Sequence, residues 1–237
     1  MEEKMMVHEI FNNLPAMLLL TIGAYLLGVW LRRKSGIALL HPFVISIPVI
    51  IAVIKLFDIS PEFYIQSNSL IDFMLGPSVV SLGYLLYRHR QTIRENIAGI
   101  MSAVVAGSII GVVSVYLLCP VLGLDEFFVK ALEAKSVTTP IAMDITRSAG
   151  GDVSLAAVSV IISGFIGALV GPLALKLFGI KDPVAKGLAM GCSSHGLGTA
   201  RAIEMGAVEG AISGLSIALM GILTAVIVPL FNSLVGL

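Results

Sequence analysis

The sequence predicts an all-α polytopic membrane protein, with about six transmembrane helices and two re-entrant or broken helical hairpins. Three observations carry the prediction. Of 237 residues, 57% are hydrophobic and 13% charged, about half the charged share of an ordinary soluble domain. The mean hydropathy of +0.99 means more apolar surface than one aqueous core can hide. Six stretches approach the ~20 apolar residues that a ~30 Å hydrocarbon layer demands of a helix, whereas two others are broken by Gly, Pro, hydroxyls and charge.

Taken in order, residues 14–31, 37–57, 70–87 and 97–118 read as four spanning helices. They fill a first half, 1–126, suited to scaffolding and oligomerisation, with a dimer favoured. The second half, 127–237, alternates a polar stretch (about 127–150), a span (153–178), a second polar stretch (about 184–208) and a last span (211–234). His41-Pro42, Gly76-Pro77 and Arg88-His89-Arg90 read as helix boundaries. Ala103, Gly107 and Gly111, then Gly167 and Gly171, then Gly210 and Gly214, recur at four-residue spacing that lets helices approach closely.

Basic residues set the expected orientation. Nine of the fifteen Lys and Arg residues fall in three connections: Arg32, Arg33 and Lys34; Arg88, Arg90 and Arg94; Lys176, Lys181 and Lys186. The opposite connections carry Asp58 and Glu62, then Asp125 and Glu126. Positive-inside reasoning places the three basic clusters in the cytoplasm and both chain ends outside. Residue 118 then ends outside, and Lys176 must lie inside, so the polar stretch between them enters and leaves by the external face. The second polar stretch enters from the cytoplasm by the same parity. The first apolar run follows Met1-Glu2-Glu3-Lys4 without a basic leader, so no cleavable presequence is expected.

A shift of 57 residues aligns 136–173 with 193–230 without a gap. Ser136 meets Ser193, Ser159 meets Ser216, Gly164 meets Gly221, and Pro172-Leu173 meets Pro229-Leu230. Asp152 meets Glu209 at the head of each following helix. With the charge count, the two units (127–178 and 184–237) read as an inverted-topology repeat, an architecture that sets a binding site near the midplane.

The candidate site residues lie in the two polar stretches. Lys135, Ser136, Thr138 and Thr139 precede Pro140, which suits the first turn of a new half-helix. Such an N-terminus offers unpaired N–H groups to an anion, although the hydroxyls serve equally well as caps. In the second stretch Ser193, Ser194, His195 and Thr199 supply polar groups, while Gly196 and Gly198 admit irregular backbone. His195 is either a substrate donor or a structural hydrogen-bonder. In register, Asp144 faces Arg201 and Arg147 faces Glu204, giving each copy an acid and a base three residues apart. These charges lock the fold or serve coupling. Arg201 is the preferred carboxylate ligand through its bidentate guanidinium, with Lys135 second.

Other chemistries are not indicated. A formal charge of zero suggests no nucleic acid, Cys119 and Cys192 have no metal or redox spacing, and no cofactor is expected. Adjacent Ser194 and His195 lack a third orienting group, so no enzyme is expected.

Residues Lys135-Ser-Val-Thr-Thr-Pro-Ile-Ala142, Gly150-Gly151, Gly179-Ile-Lys-Asp-Pro-Val-Ala-Lys-Gly187 and Ser194-His-Gly-Leu-Gly-Thr-Ala-Arg-Ala202 resemble the LrgB/CidB family of bacterial membrane proteins. That family includes the membrane domain of the plastid glycolate/glycerate translocator. The resemblance covers the whole chain, with motif-grade residues from about 134 onward; Ala134 stands where Pro is expected and Leu197 where Ile is usual. It implies a multi-pass protein of the bacterial inner membrane. It also implies two functions: exchange of a small monocarboxylate, ion- or proton-coupled, or holin/antiholin-like control of murein hydrolases and lysis. The expected partners are accordingly the lipid bilayer, a small organic anion, a second copy of the chain and a small holin-like membrane protein.

Overall fold

The computed structural model describes residues 14–36 and 42–237, and within them it is helical throughout. The helices are α1 (Leu14–Ser35), α2 (Pro42–Leu56), α3 (Pro61–Ser67), α4 (Ser69–Arg88), α5 (Arg90–Glu95), α6 (Ile97–Val121), α7 (Glu126–Leu132), α8 (Thr139–Ser148), α9 (Val153–Leu177), α10 (Pro183–Met205) and α11 (Ala207–Val235). Five of them, α1, α4, α6, α9 and α11, are long and apolar enough to cross a membrane. The expected span at 37–57 differs: α2 covers 15 residues, a rise of roughly 22 Å, and residues 37–41 lie outside the described residues. Pro77 sits inside α4 and so marks no boundary. Pro42 does open α2, and His89 does separate α4 from α5.

The surface has the polarity expected of a chain dissolved in lipid. Ile110, Ile162, Leu173, Ile222 and Leu230 are exposed, whereas Ser108, Thr146, Ser194, Ser213 and Ser216 are buried. An aqueous protein would reverse that distribution.

Two compact units divide the chain between Ser81 and Leu82, within α4. In the first, Gly28 of α1 lets Pro42 approach so closely that a Cβ would lie 2.7 Å from its Cα. Thr21 donates to Asn68 Oδ1 at 2.8 Å, and its oxygen lies 2.7 Å from the Tyr64 hydroxyl, tying α3 to α1.

The second unit contains both polar stretches, and α6 and α11 run side by side through it. Ser108 Oγ meets Met220 Sδ at 3.1 Å, and Tyr116 and Phe231 stack edge to face at 5.2 Å, so the two helices are parallel and share a level. Gly107 and Gly111 flank the midpoint of α6, and Met220 and Gly221 mark that of α11. Asp152 and Asp182 cap α9 and α10, each accepting from a backbone N–H at 2.7 Å.

Candidate functional site

The chain turns back on itself twice, and the two turning points converge on α6. The first turn follows α7. Thr146 donates to the Lys130 carbonyl at 3.3 Å, and a Cβ on Gly151 would lie 3.0 Å from Lys130 Cβ, so the chain at the end of α8 comes back to α7. Between them, Thr138 is the N-cap of α8 in extended conformation (φ −68°, ψ 151°), followed by Thr139 and Pro140 in its first turn. Thr138 makes no side-chain cap hydrogen bond. Among the described residues no side chain caps the first N–H groups of α8, which leaves them open to another partner.

The second turn interrupts α10 at His195, whose φ of 39° and ψ of −129° leave the helical region. A Cβ on Gly198 would collide with the Met190 carbonyl, which eight residues of uninterrupted helix would hold ~12 Å away. The halves pair with α11 in opposite senses: Gly187 and Gly191 approach Glu209 and Ser213, whereas Thr199 and Ile203 approach Ser213 and Gly210. The 57-residue shift places Thr138 on His195, the turning point of each stretch.

Both tips reach the centre of α6 one turn apart. A Cβ on Gly107 would lie 3.5 Å from Cys192 Cβ, and one on Gly111 would lie 3.8 Å from Ser136 Oγ. Ile141, in the first turn of α8, presses on Gly221 at the centre of α11, where an added Cβ would lie 2.7 Å from its Cδ1. The two stretches arrive from opposite ends. α7 follows the C-terminal end of α6, while α10 hands over to the N-terminal end of α11.

Lys135 is half-buried, its Nζ 3.5 Å from the Gly111 carbonyl, with no acidic partner among the described residues. Ser136, Thr138 and Thr139 are half-buried and Pro140 is exposed. Ser193 is exposed and donates to the Ala189 carbonyl at 2.7 Å; the buried Ser194 lies 2.8 Å from its oxygen. His195 is buried with Nε2 2.8 Å from the Val160 carbonyl of α9. A carbonyl can only accept, so Nε2 carries the proton and Nδ1 is left over. Thr199 and Ser213 hydroxyls pair at 2.7 Å. Gly196 is exposed with open space around it, and Gly198 is buried against Met190.

The charge pairs close within their own helices. Arg147 donates to Asp144 at 2.6 Å and Arg201 to Glu204, each three residues apart, and neither pair bridges the two stretches. Asp144 and Arg147 are exposed, and Arg201 is partly so. Arg201 is therefore already paired with an acid, whereas Lys135 meets only the Gly111 carbonyl among the described residues.

The small residues of α9 form the seat of the second tip. A Cβ on Gly164 would strike the His195 ring, one on Gly167 would strike Ser194 Oγ, and one on Gly171 would lie 2.6 Å from Met190 Sδ. Packing, read from the spacing of Gly167 and Gly171, is thus their role. Sequence reasoning missed that Gly107 and Gly111 are where the tips dock, and it passed over buried Glu133 and Asn232.

Fold and site together define a polytopic α-helical membrane protein with a polar centre built from two chain reversals. The chain belongs to the LrgB-like family, whose model matches residues 21–234. It is 33% identical over 220 residues to the antiholin-like protein LrgB of Bacillus subtilis (strain 168), covering 92% of this chain and 95% of that protein. The antiholin-like protein LrgB of Bacillus mycoides (strain KBAB4) is also 33% identical, with 92% and 96% covered. The uncharacterized protein YxaC of Bacillus subtilis (strain 168) is 34% identical over 213 residues, covering 90% and 93%. No solved structure matches the chain. These names favour the antiholin-like expectation over the carboxylate-transport expectation, since they mention no solute.

Proposed function

We propose that the chain is an antiholin-like membrane protein whose molecular activity is to bind and carry a small organic anion of the monocarboxylate class where its two hairpin tips meet. The name of the relatives supports the antiholin-like part and is silent on any solute. One observation carries the anion part: Lys135, half-buried and without an acidic partner among the described residues, stands beside the uncapped N-terminus of α8 near the midpoint of α6. Partly desolvating a cation that has only a carbonyl for a partner is costly, and an anion that pairs with it and with the open N–H groups offsets that cost. Lys135 therefore takes the role that sequence reasoning gave first to Arg201.

In this reading the hairpins are re-entrant from opposite membrane faces and form an inverted repeat, the basic connections facing the cytoplasm. Thr138, Thr139, Ser193, Ser194 and His195 Nδ1 complete a polar lining. Ser136, Gly196 and Gly198 shape the tips, and Thr199 fastens the second tip to α11. Movement of the tips against α6 and α9 gives alternating access, and a second copy of the chain or a small holin-like protein docks elsewhere. The relatives' name also supports a second reading, an oligomeric pore or lysis regulator without a solute site. Purified protein in liposomes and in planar bilayers separates the two. Saturable, competable uptake of radiolabelled glycolate, glycerate or pyruvate without steady conductance supports the first reading. Conductance without saturable uptake supports the second.

A further inference from the structure

Glu133 is 2% exposed and lies between α7 and α8, outside the five membrane-length helices. Asn232 is 6% exposed near the end of α11 and donates from Nδ2 to Glu133 Oε1 at 2.9 Å. The other oxygen of each side chain, Glu133 Oε2 and Asn232 Oδ1, is buried with no hydrogen-bond partner among the described residues. Two orphaned acceptors on one pair mean that a donor is missing, and exchanging the amide's oxygen and nitrogen does not supply it. A proton on the carboxyl does: a neutral acid faces an amide with one donor and one acceptor on each side.

We propose that Glu133 and Asn232 form a proton-binding site that fastens the first hairpin to α11 when the proton is present. The site stands on this geometry, independently of whether the chain carries a solute. The ionisable groups on the elements that form or pack against it are Glu126 and Lys130 on α7, Lys135 two residues on, Asp144 and Arg147 on α8, Tyr116 and Cys119 on α6, Asp152 and Lys176 at the two ends of α9, and Glu209 at the far end of α11. Lys130 is the one whose charge reaches the carboxyl, and it favours ionisation. Burial outweighs both Lys130 and the Asn232 hydrogen bond and pushes Glu133 up from the usual 4.5 to about 7. The sign follows from the raised value. The neutral form's contribution is complete below about pH 4.5 and is lost as pH rises through about 7. Ionisation leaves a buried carboxylate against an unpaired carbonyl oxygen, so the pair must open to admit water. Glu133 is three residues before Ser136, and opening therefore loosens the tip.

Infrared difference spectra of the whole protein in lipid nanodiscs, titrated from acid to alkaline pH, should show a protonated-carboxyl band lost near neutrality. The band should be absent in E133Q, whose amide keeps one donor and one acceptor facing Asn232. In a background without Cys119 and Cys192, maleimide labelling of S136C should accelerate about tenfold more across neutrality with Glu133 than with E133Q. A carboxyl that is ionised throughout, or labelling with the same pH profile in both forms, overturns the proposal. So does a band displaced by sodium or potassium at constant pH, because the missing positive group is then a cation. N232A supplies a second arm: it should shift the band and its midpoint, and an unchanged titration also refutes the pairing.

Discussion

Replacing Gly107 with Cys should create a disulfide to the native Cys192. A Cβ at position 107 lies 3.5 Å from Cys192 Cβ and 3.8 Å from its Sγ. Disulfides span Cβ separations of about 3.5–4.5 Å, so the cross-link needs no backbone movement. It would close a loop of 86 residues, which on chain-entropy grounds stabilises the oxidised protein by about 4–5 kcal/mol. The assay uses G107C in a Cys119→Ser background, with copper phenanthroline as oxidant. A faster-migrating band on non-reducing gels and loss of two maleimide-reactive thiols report the link, and reductant should restore both. Gly99 lies on the same helix with nothing within 4 Å of its Cβ position, so G99C should not cross-link. Paired substitutions G111C and S136C should link the first tip, since a Cβ at position 111 would lie 3.8 Å from Ser136 Oγ. If G99C links as fast as G107C, or G107C fails to link while remaining folded, the second tip does not sit at the centre of α6.

The seat of the second tip should be sensitive in proportion to contact. Gly164→Ala and Gly167→Ala each drive a methyl into the tip and should destabilise by about 1–3 kcal/mol, lowering the melting midpoint in detergent, whereas Gly196→Ala, in open space, should leave it unchanged. His195 occupies a backbone region that glycine tolerates at no steric cost, with strain of order 1–3 kcal/mol held partly by the bond to Val160. His195→Gly loses that bond but relieves the strain. It should therefore melt higher than His195→Ala, which loses the bond and keeps the strain; the opposite order would refute the strain argument.

Much of this architecture was legible in the chain. The spans expected at 97–118 and 153–178 become α6, Ile97–Val121, and α9, Val153–Leu177, because unbroken apolar runs leave the backbone no other way to satisfy itself in lipid. The turning points were legible too, from Pro140 in one stretch and from the glycines around His195 in the other. The last helix starts four residues earlier than expected, at Ala207, because Glu209 is accommodated in its first turn at a buried position. What could not be read is pairing across long separations. Glu133 meets Asn232 99 residues away, and hydrophobic periodicity carries no information about such a contact. Likewise, four-residue glycine spacing announces close approach at Gly107 and Gly111 but not which segments approach. Arg201 shows a related limit. Its spacing from Glu204 suggested both a local pair and a ligand, and the structure shows the pair.

In the proposed function an anion binds between the hairpin tips with Lys135 as its counter-charge. Equilibrium binding of radiolabelled glycerate, glycolate and pyruvate to the purified protein in nanodiscs tests it most directly. At least one of these should bind saturably, with affinity that falls at least about tenfold in Lys135→Met, weakens in Thr138→Ala and persists in Arg201→Gln, since each lost charge-assisted hydrogen bond is worth about 1.5–3 kcal/mol. Binding that survives Lys135→Met in a folded protein, or that depends on Arg201 alone, would contradict it.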